Sequence, residues 1–270
     1  MLELERFTYR YPDAPAPALD GVSLAVEEGS FVVLAGTSGC GKSTLLRAAC
    51  GLVPHFHGGE AAGELRVGGL SLREHGPSEL AAVCGTVFQD PESQVVMGGV
   101  RAEIALPLEH RGEPAGAVAR GVEEAALALG IGHLLDRRTD TLSGGELQRV
   151  QIAIALAQEA PLLLADEPTS QLDLGATVSV ARLLRNLAEE GLAVLLVVHD
   201  LALAAALADE VVVMSDGRTV ASGEPREVLA PDRLREVWKV EARLDADEAG
   251  HTALRVDWLG AARELEGELR

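Results

Sequence analysis

The stretch Gly36-Thr37-Ser38-Gly39-Cys40-Gly41-Lys42-Ser43-Thr44 constrains the fold of this chain more than any other. A strand-like apolar run, 30–35, precedes it and a helix-like run, 43–51, follows, so the chain must pass from strand to helix through three glycines. Gly36, Gly39 and Gly41 permit backbone conformations that a Cβ forbids, and successive N–H groups can then converge on an anion at a helix N-terminus. In such a cradle Lys42 supplies a compact charge for the β- and γ-phosphates of a nucleotide, and Ser43 a hydroxyl for Mg²⁺. Of 23 basic residues only Lys42 and Lys239 are lysines; an ammonium fits here where the wide fork of arginine does not. Cys40, beside a lysine and near a helix N-terminus, is expected to have a lowered thiol pKa, so that alkylation blocks nucleotide binding.

A net charge of −19 opposes non-specific binding to nucleic acid or to an anionic membrane surface. With 270 residues, 47% of them hydrophobic, the chain can bury a full core as one large domain or a domain with a small appendage. No apolar run reaches the roughly 18 to 20 residues of a membrane span; the nearest, 152–165, is broken by Gln158, Glu159 and Pro161. The acidic, strand-like start Met1-Leu2-Glu3-Leu4-Glu5 is unlike a secretory signal, and three scattered cysteines suit neither a disulfide framework nor a zinc site. A soluble protein of a reducing, intracellular compartment is expected.

Residues 2–10 and 22–26 alternate as strands around a proline-rich loop, 11–17, where Tyr11, rather than Tyr9, is placed to stack on a purine. His55 and His57 have no further ligand beside them and read as a surface loop before a strand at 64–67. A strand at 84–88 ends in Gln89-Asp90-Pro91, where open α/β sheets place ligand-binding groups. From about 100 to 160 the pattern is helical, with segments at 102–108 and 117–129, and it closes on Leu142-Ser143-Gly144-Gly145-Glu146 and a long apolar helix. A serine there caps the helix, and the exposed N–H groups beyond it can bind an anion.

The buried strand before Asp166 and Glu167 delivers both acids to its carboxyl edge, the first placed for Mg²⁺ and the second for an attacking water. Ser170-Gln171-Leu172-Asp173 turns into a helix reaching Glu190, and the strand 193–198 ends in His199-Asp200, again a titratable group at a strand end. A hairpin with an Asp216-Gly217 turn joins 210–215 to 218–222. Two short helices are expected within 224–237, and the charge-rich 240–270 carries no motif.

The order and spacing of the phosphate loop, Leu142 to Glu146 about 100 residues later, Asp166-Glu167 after four apolar residues and a strand-end His199 resemble the ATP-binding-cassette (ABC) ATPases over roughly residues 2–222. The resemblance implies an α/β fold with a P-loop NTPase (RecA-like) core sheet, an antiparallel β subdomain and an inserted α-helical subdomain at about 89–160. An ABC ATP-binding domain would then span 1–222, leaving 223–270 as a helical, charged appendage. By position, it implies Tyr11 as the adenine-stacking aromatic, Gly36 to Thr44 as the Walker A loop and Gln89 as the Q-loop glutamine near Mg²⁺. Ser143, Gly144, Gly145 and Glu146 become the signature, Asp166 the Walker B aspartate and Asp173 the D-loop acid. Glu167 becomes the catalytic base and His199 the switch histidine, acting with Lys42. Gln171 departs from the pattern where a small residue is usual, as does Ile154 where arginine often stands.

The resemblance further implies ATP and Mg²⁺ as ligands and a head-to-tail pair of ATPase subunits, homodimeric or heterodimeric, with ATP between Lys42 of one and Ser143 with Gly145 of the other. Within the family, 87–94 followed by Ala102-Glu103-Ile104-Ala105 resembles the ATPases of energy-coupling-factor (ECF) importers of vitamins or transition-metal ions. These work with a transmembrane coupling protein and a membrane substrate-binding protein, so membrane contact is expected only through partners, at the cytoplasmic face, with no nucleic acid bound. Another type of ABC transporter is the alternative, followed by a soluble ABC ATPase acting on DNA or ribosomes. A P-loop kinase or GTPase would leave Leu142 to Glu146 unexplained.

Overall fold

Short apolar runs form the parallel strands at the centre of the fold, in a computed structural model that describes residues 1–246 and 252–257. In chain order the strands are β1 (Leu2–Arg10), β2 (Leu19–Val26), β3 (Phe31–Gly36), β4 (Glu60–Val67), β5 (Leu70–Ser71), β6 (Cys84–Val87), β7 (Leu162–Asp166), β8 (Ala193–Val197), β9 (Glu210–Ser215), β10 (Arg218–Gly223), β11 (Ala242–Ala246) and β12 (Thr252–Val256). The helices are α1 (Lys42–Ala49), α2 (Leu52–His55), α3 (Pro77–Leu80), α4 (Val100–His110), α5 (Ala115–Ala128), α6 (Gly144–Ala157), α7 (Leu174–Glu189), α8 (Leu201–Leu207), α9 (Pro225–Val228) and α10 (Pro231–Trp238).

The central sheet has the order β10-β9-β3-β8-β7-β6, and all neighbours pair in parallel except β10 with β9. Its strands are apolar throughout because both faces are covered. Phe31, Val33 and Ala35 of β3, with Leu163 and Ala165 of β7, join one core together with α4, α5 and α6. Val32 and Leu34, with Leu162 and Leu164, point the other way into a second core shared with β1, β2, β4 and α1. Each such buried Val or Leu contributes about 1.5–3 kcal/mol.

The second sheet, β2-β1-β4-β5, is antiparallel and covers the second core. It has one buried face, so Leu2 and Leu4 turn in while Glu3 and Glu5 turn out. The helical insertion α4 to α6 lies between β6 and β7 in the chain. Parallel pairing therefore aligns the carboxyl ends of β3, β8, β7 and β6 side by side on one edge of the sheet.

Three segments differ from the sequence-based expectation. β2 begins at Leu19 and β4 at Glu60, because both strands are extended by pairing with β1, whose Tyr9 lies opposite Leu19 and whose Arg10 lies opposite Glu60. Residues 242–246 and 252–256 form an antiparallel hairpin instead of an unstructured or helical tail; Leu244, Leu254 and Val256 pack on the first core. The remainder of the segment without a motif, 247–251 and 258–270, lies outside the described residues. Among the described residues no helix is long and apolar enough to cross a membrane.

Candidate functional site

The phosphate loop leaves β3 at Gly36 and enters α1 at Lys42. Gly36 has φ +151°, and a Cβ there would lie 2.3 Å from the Met214 carbonyl oxygen; at Gly41, φ +107°, it would lie 2.6 Å from that of Ala18. Glycine is needed at both positions by conformation and by close backbone approach. Lys42 is buried, and its Nζ donates to the carbonyls of Gly36 and Thr37, each at 2.9 Å, with Cys40 Sγ at 3.8 Å. The ammonium is thereby held across the loop, where it faces a cleft of about 290 Å³ walled by Ser38, Gly39, Ser43 and Thr44.

The opposite wall comes from neighbouring strand ends. Gln89 follows β6, Glu167 follows β7 and His199 follows β8, and all three reach the cleft. Glu167 Oε1 lies 2.6 Å from His199 Nε2, and its Oε2 accepts from Gln89 Nε2 at 3.1 Å. One carboxylate thus gathers the residues at three adjacent strand ends. Its backbone is left-handed, φ +52°, with the N–H donating to the Val197 carbonyl at 3.0 Å. A non-glycine residue in that region costs about 1–3 kcal/mol and persists only where its surroundings fix it.

Asp166, the last residue of β7, is 3% exposed, and its Oδ1 has no hydrogen-bond partner among the described residues. A buried carboxylate oxygen without a donor is costly, and a hard cation with oxygen ligands offsets that cost. Asp166, Ser43 and Gln89 all offer oxygen donors of the kind Mg²⁺ takes, and Ser43 and Gln89 line the phosphate cleft.

Ser143 caps α6. Its Oγ accepts from the Glu146 N–H at 3.3 Å, while Glu146 Oε2 accepts from the Ser143 backbone N–H at 2.8 Å and hydroxyl at 2.9 Å. These bonds, with Arg137 and Arg149 nearby, hold the Glu146 carboxyl below its ordinary range. Gly144, Gly145 and Asp173 line the same cleft of about 420 Å³. Asp173 caps α7 through the Ala176 N–H at 2.8 Å. A Cβ on Gly144 would meet Gln171 Oε1 at 2.1 Å, so the long side chain at 171 occupies the space beside Gly144. Within one chain, then, the phosphate loop and Ser143 line separate clefts.

One expectation is corrected. The Cys40 thiol is 4% exposed and its pKa is raised, because desolvation by burial outweighs the Lys42 charge and the hydrogen bonds that lower it. It is a packed side chain beneath the loop and not an activated nucleophile. Tyr11, expected to stack on adenine, stands beside the phosphate loop and outside the phosphate cleft. Its ring stands edge-on to Tyr9, centroids 4.8 Å apart, and its hydroxyl lies 3.3 Å from both Thr44 Oγ1 and Arg47 Nη1. Ala18 is the residue of that connection which reaches the cleft, and nothing in its type signals it. Sequence reasoning also missed Gln148 and Gln151, which are buried in α6 and bonded to the loops carrying Glu167 and Gln89. The signal available is their spacing, which puts two amides on one face of the helix.

Residues 19–170 match the family described as ABC transporter. A protein of Methanopyrus kandleri named as an ABC transporter ATP-binding protein is 42% identical over 231 residues, which cover 85% of this chain and 84% of that protein. One of Methanosarcina mazei, similarly named, is 40% identical over 230 residues, covering 85% of this chain and 39% of its own length. The chain spans about two fifths of the length of several such curated relatives. Among solved structures, cbiO1 from Clostridium perfringens, described as part of the ABC transporter complex cbiONQ, matches with a TM-score of 0.75 at 29% identity, covering 87% of this chain and 92% of that one. The ATP-binding cassette MJ0796, described as dimeric in a post-hydrolysis state bound to ADP and Pi, matches with a TM-score of 0.75 at 28% identity, covering 84% and 99%.

Proposed function

The chain belongs to the ABC transporter family, and on that premise we propose that it is the ATP-hydrolysing subunit of an importer, active as a head-to-tail pair. The observation that carries this reading is the separation of its two half-sites. The phosphate cleft holds Lys42, Gln89, Glu167 and His199, while Ser143 and Gly145 face a second cleft with Asp173. A second copy, or a similar subunit, turned head to tail would bring its Ser143 over this chain's Lys42.

In that arrangement the phosphate loop binds the triphosphate through backbone N–H groups and Lys42. Glu167 orients a water and accepts its proton as the oxygen attacks the γ-phosphorus; the bond from that phosphorus to the β–γ bridging oxygen breaks, so ADP leaves with the bridging oxygen and inorganic phosphate is formed. His199 and Gln89 hold the carboxylate from either side through 2.6 and 3.1 Å contacts. Mg²⁺, held by Ser43, Asp166 and Gln89, would neutralise charge on the β- and γ-phosphates. Closure on ATP and reopening after hydrolysis form a two-state motion that a bound partner can use.

The finer assignment is an ECF-type importer of a vitamin or transition-metal ion. Its support is the 87–94 and 102–105 pattern together with the likeness to cbiO1. The partners are then a transmembrane coupling protein and a membrane substrate-binding protein, and the chain sits at the cytoplasmic face of the membrane through them. Residues 1–222 form the ATP-binding domain and 223–270 an appendage on it.

Glu167→Gln tests the scheme. The variant is expected to bind ATP and accumulate as a closed dimer on size exclusion; a monomeric profile with saturating ATP contradicts the reading.

A further inference from the structure

Helix α6 carries two buried glutamines three residues apart, Gln148 fully buried and Gln151 2% exposed. That spacing puts both on one helical face, and buried amides must find partners. Gln148 uses both ends of its amide on one loop. Its Nε2 donates to the Glu167 carbonyl at 3.1 Å, and its Oε1 accepts from the Gln171 N–H at 3.0 Å. Gln151 Nε2 donates to the Pro91 carbonyl at 3.3 Å, two residues beyond Gln89. The two loops so held leave the adjacent strands β7 and β6 and bring Glu167 and Gln89 together.

Glu167 is the residue that most needs such support. Its left-handed backbone is fixed on the N–H side by Val197 and on the carbonyl side by the Ser170 N–H at 3.1 Å and by Gln148. We infer that Gln148 and Gln151 are positioning residues, an amide clamp on α6 that sets the backbone of both strand-end loops and so aims the Glu167 carboxylate. The same helix begins at Ser143. Gln148 follows it by five residues, about 7.5 Å along the axis, so a shift of the signature serine is transmitted to Glu167 through one rigid element.

The inference rests on the proposed ATPase function, and its test separates the two. Steady-state ATP hydrolysis by the full chain is measured for Gln148→Met, Gln151→Met and Glu167→Gln, beside affinity for a fluorescent ATP analogue. Methionine keeps the volume and removes the amide. Gln148→Met removes both hydrogen bonds of that amide and should lower kcat at least about tenfold, the rate equivalent of losing one of them in full, with KM and ATP affinity within about twofold; Gln151→Met should act in the same sense. A merely structural role would lower affinity and turnover together, and that result overturns the clamp. Loss of turnover in Glu167→Gln with none in Gln148→Met overturns the clamp alone, whereas full turnover in Glu167→Gln overturns the proposed function and the clamp with it. Should Gln148→Met not fold, Gln151→Met, which removes the single bond from Gln151 Nε2 to the Pro91 carbonyl, is held to the same outcomes.

Discussion

Replacing Gly36 by alanine tests whether the phosphate loop is built as described. Gly36 ends β3 in register with Met214 of β9, so its backbone is tied into the sheet. At φ +151° an added Cβ would sit 2.3 Å from the Met214 carbonyl oxygen and 2.8 Å from Cys40 Sγ. The backbone conformation alone costs an alanine about 1–3 kcal/mol, and relieving the overlap costs about 1–3 kcal/mol more because two paired strands must part. The sum is about 4 kcal/mol. Gly39 is the control: its φ is +79°, but nothing lies within 4 Å of a Cβ there, so alanine costs about 1 kcal/mol. For a chain of this size these values correspond to Tm losses of about 8–16 °C for Gly36→Ala and about 2–4 °C for Gly39→Ala. Thermal melts with and without ATP measure both stability and binding. At a ligand concentration of about 100 Kd the wild type gains about 2.7 kcal/mol, and Gly36→Ala should lose that gain as well. Equal Tm losses in the two variants would refute the close approach of the loop to β9.

Two further outcomes follow from buried groups. Chelation of Mg²⁺ should weaken ATP binding by the wild type at least about tenfold and by Asp166→Asn much less, since the orphaned Oδ1 is the proposed reason the cation binds there; equal sensitivity of both proteins, measured by nucleotide titration, would contradict it. All three thiols are held above their ordinary range by burial, Cys50 to about 11 and Cys84 to about 12. A raised pKa keeps the thiol protonated, so at pH 8 only about one Cys50 in a thousand is thiolate. A disulfide reagent should then find no fast-reacting thiol in the native chain and three after denaturation, and rapid labelling of Cys40 would contradict its burial.

What could be read from the sequence was what a single stretch of chain decides. The core strands were legible because a sheet covered on both faces demands unbroken apolar runs, as in Phe31 to Ala35 and Ala193 to Val198. Asp166, Glu167 and His199 stood out because acids and a histidine at the ends of such runs have no packing role. What escaped was decided by distant partners. Glu60 to Gly63 has no strand pattern of its own and is extended because β1 pairs with it. Gln148 and Gln151 look like surface amides until Glu167, Gln171 and Pro91 are placed around them. At Cys40 the lysine was visible but the burial was not, and desolvation is the larger effect.

The central claim is that Ser143 of one subunit completes the site built on Lys42 of another. Ser38 and Ser143 are exposed in separate clefts, while Cys40, Cys50 and Cys84 are buried, so introduced cysteines are the ones available to react. In a Glu167→Gln background, a Ser38→Cys chain mixed with a Ser143→Cys chain should form a disulfide-linked dimer under mild oxidation with ATP, and neither chain alone should do so. Failure of the mixture to cross-link with saturating ATP, or equal cross-linking without nucleotide, would contradict the head-to-tail site.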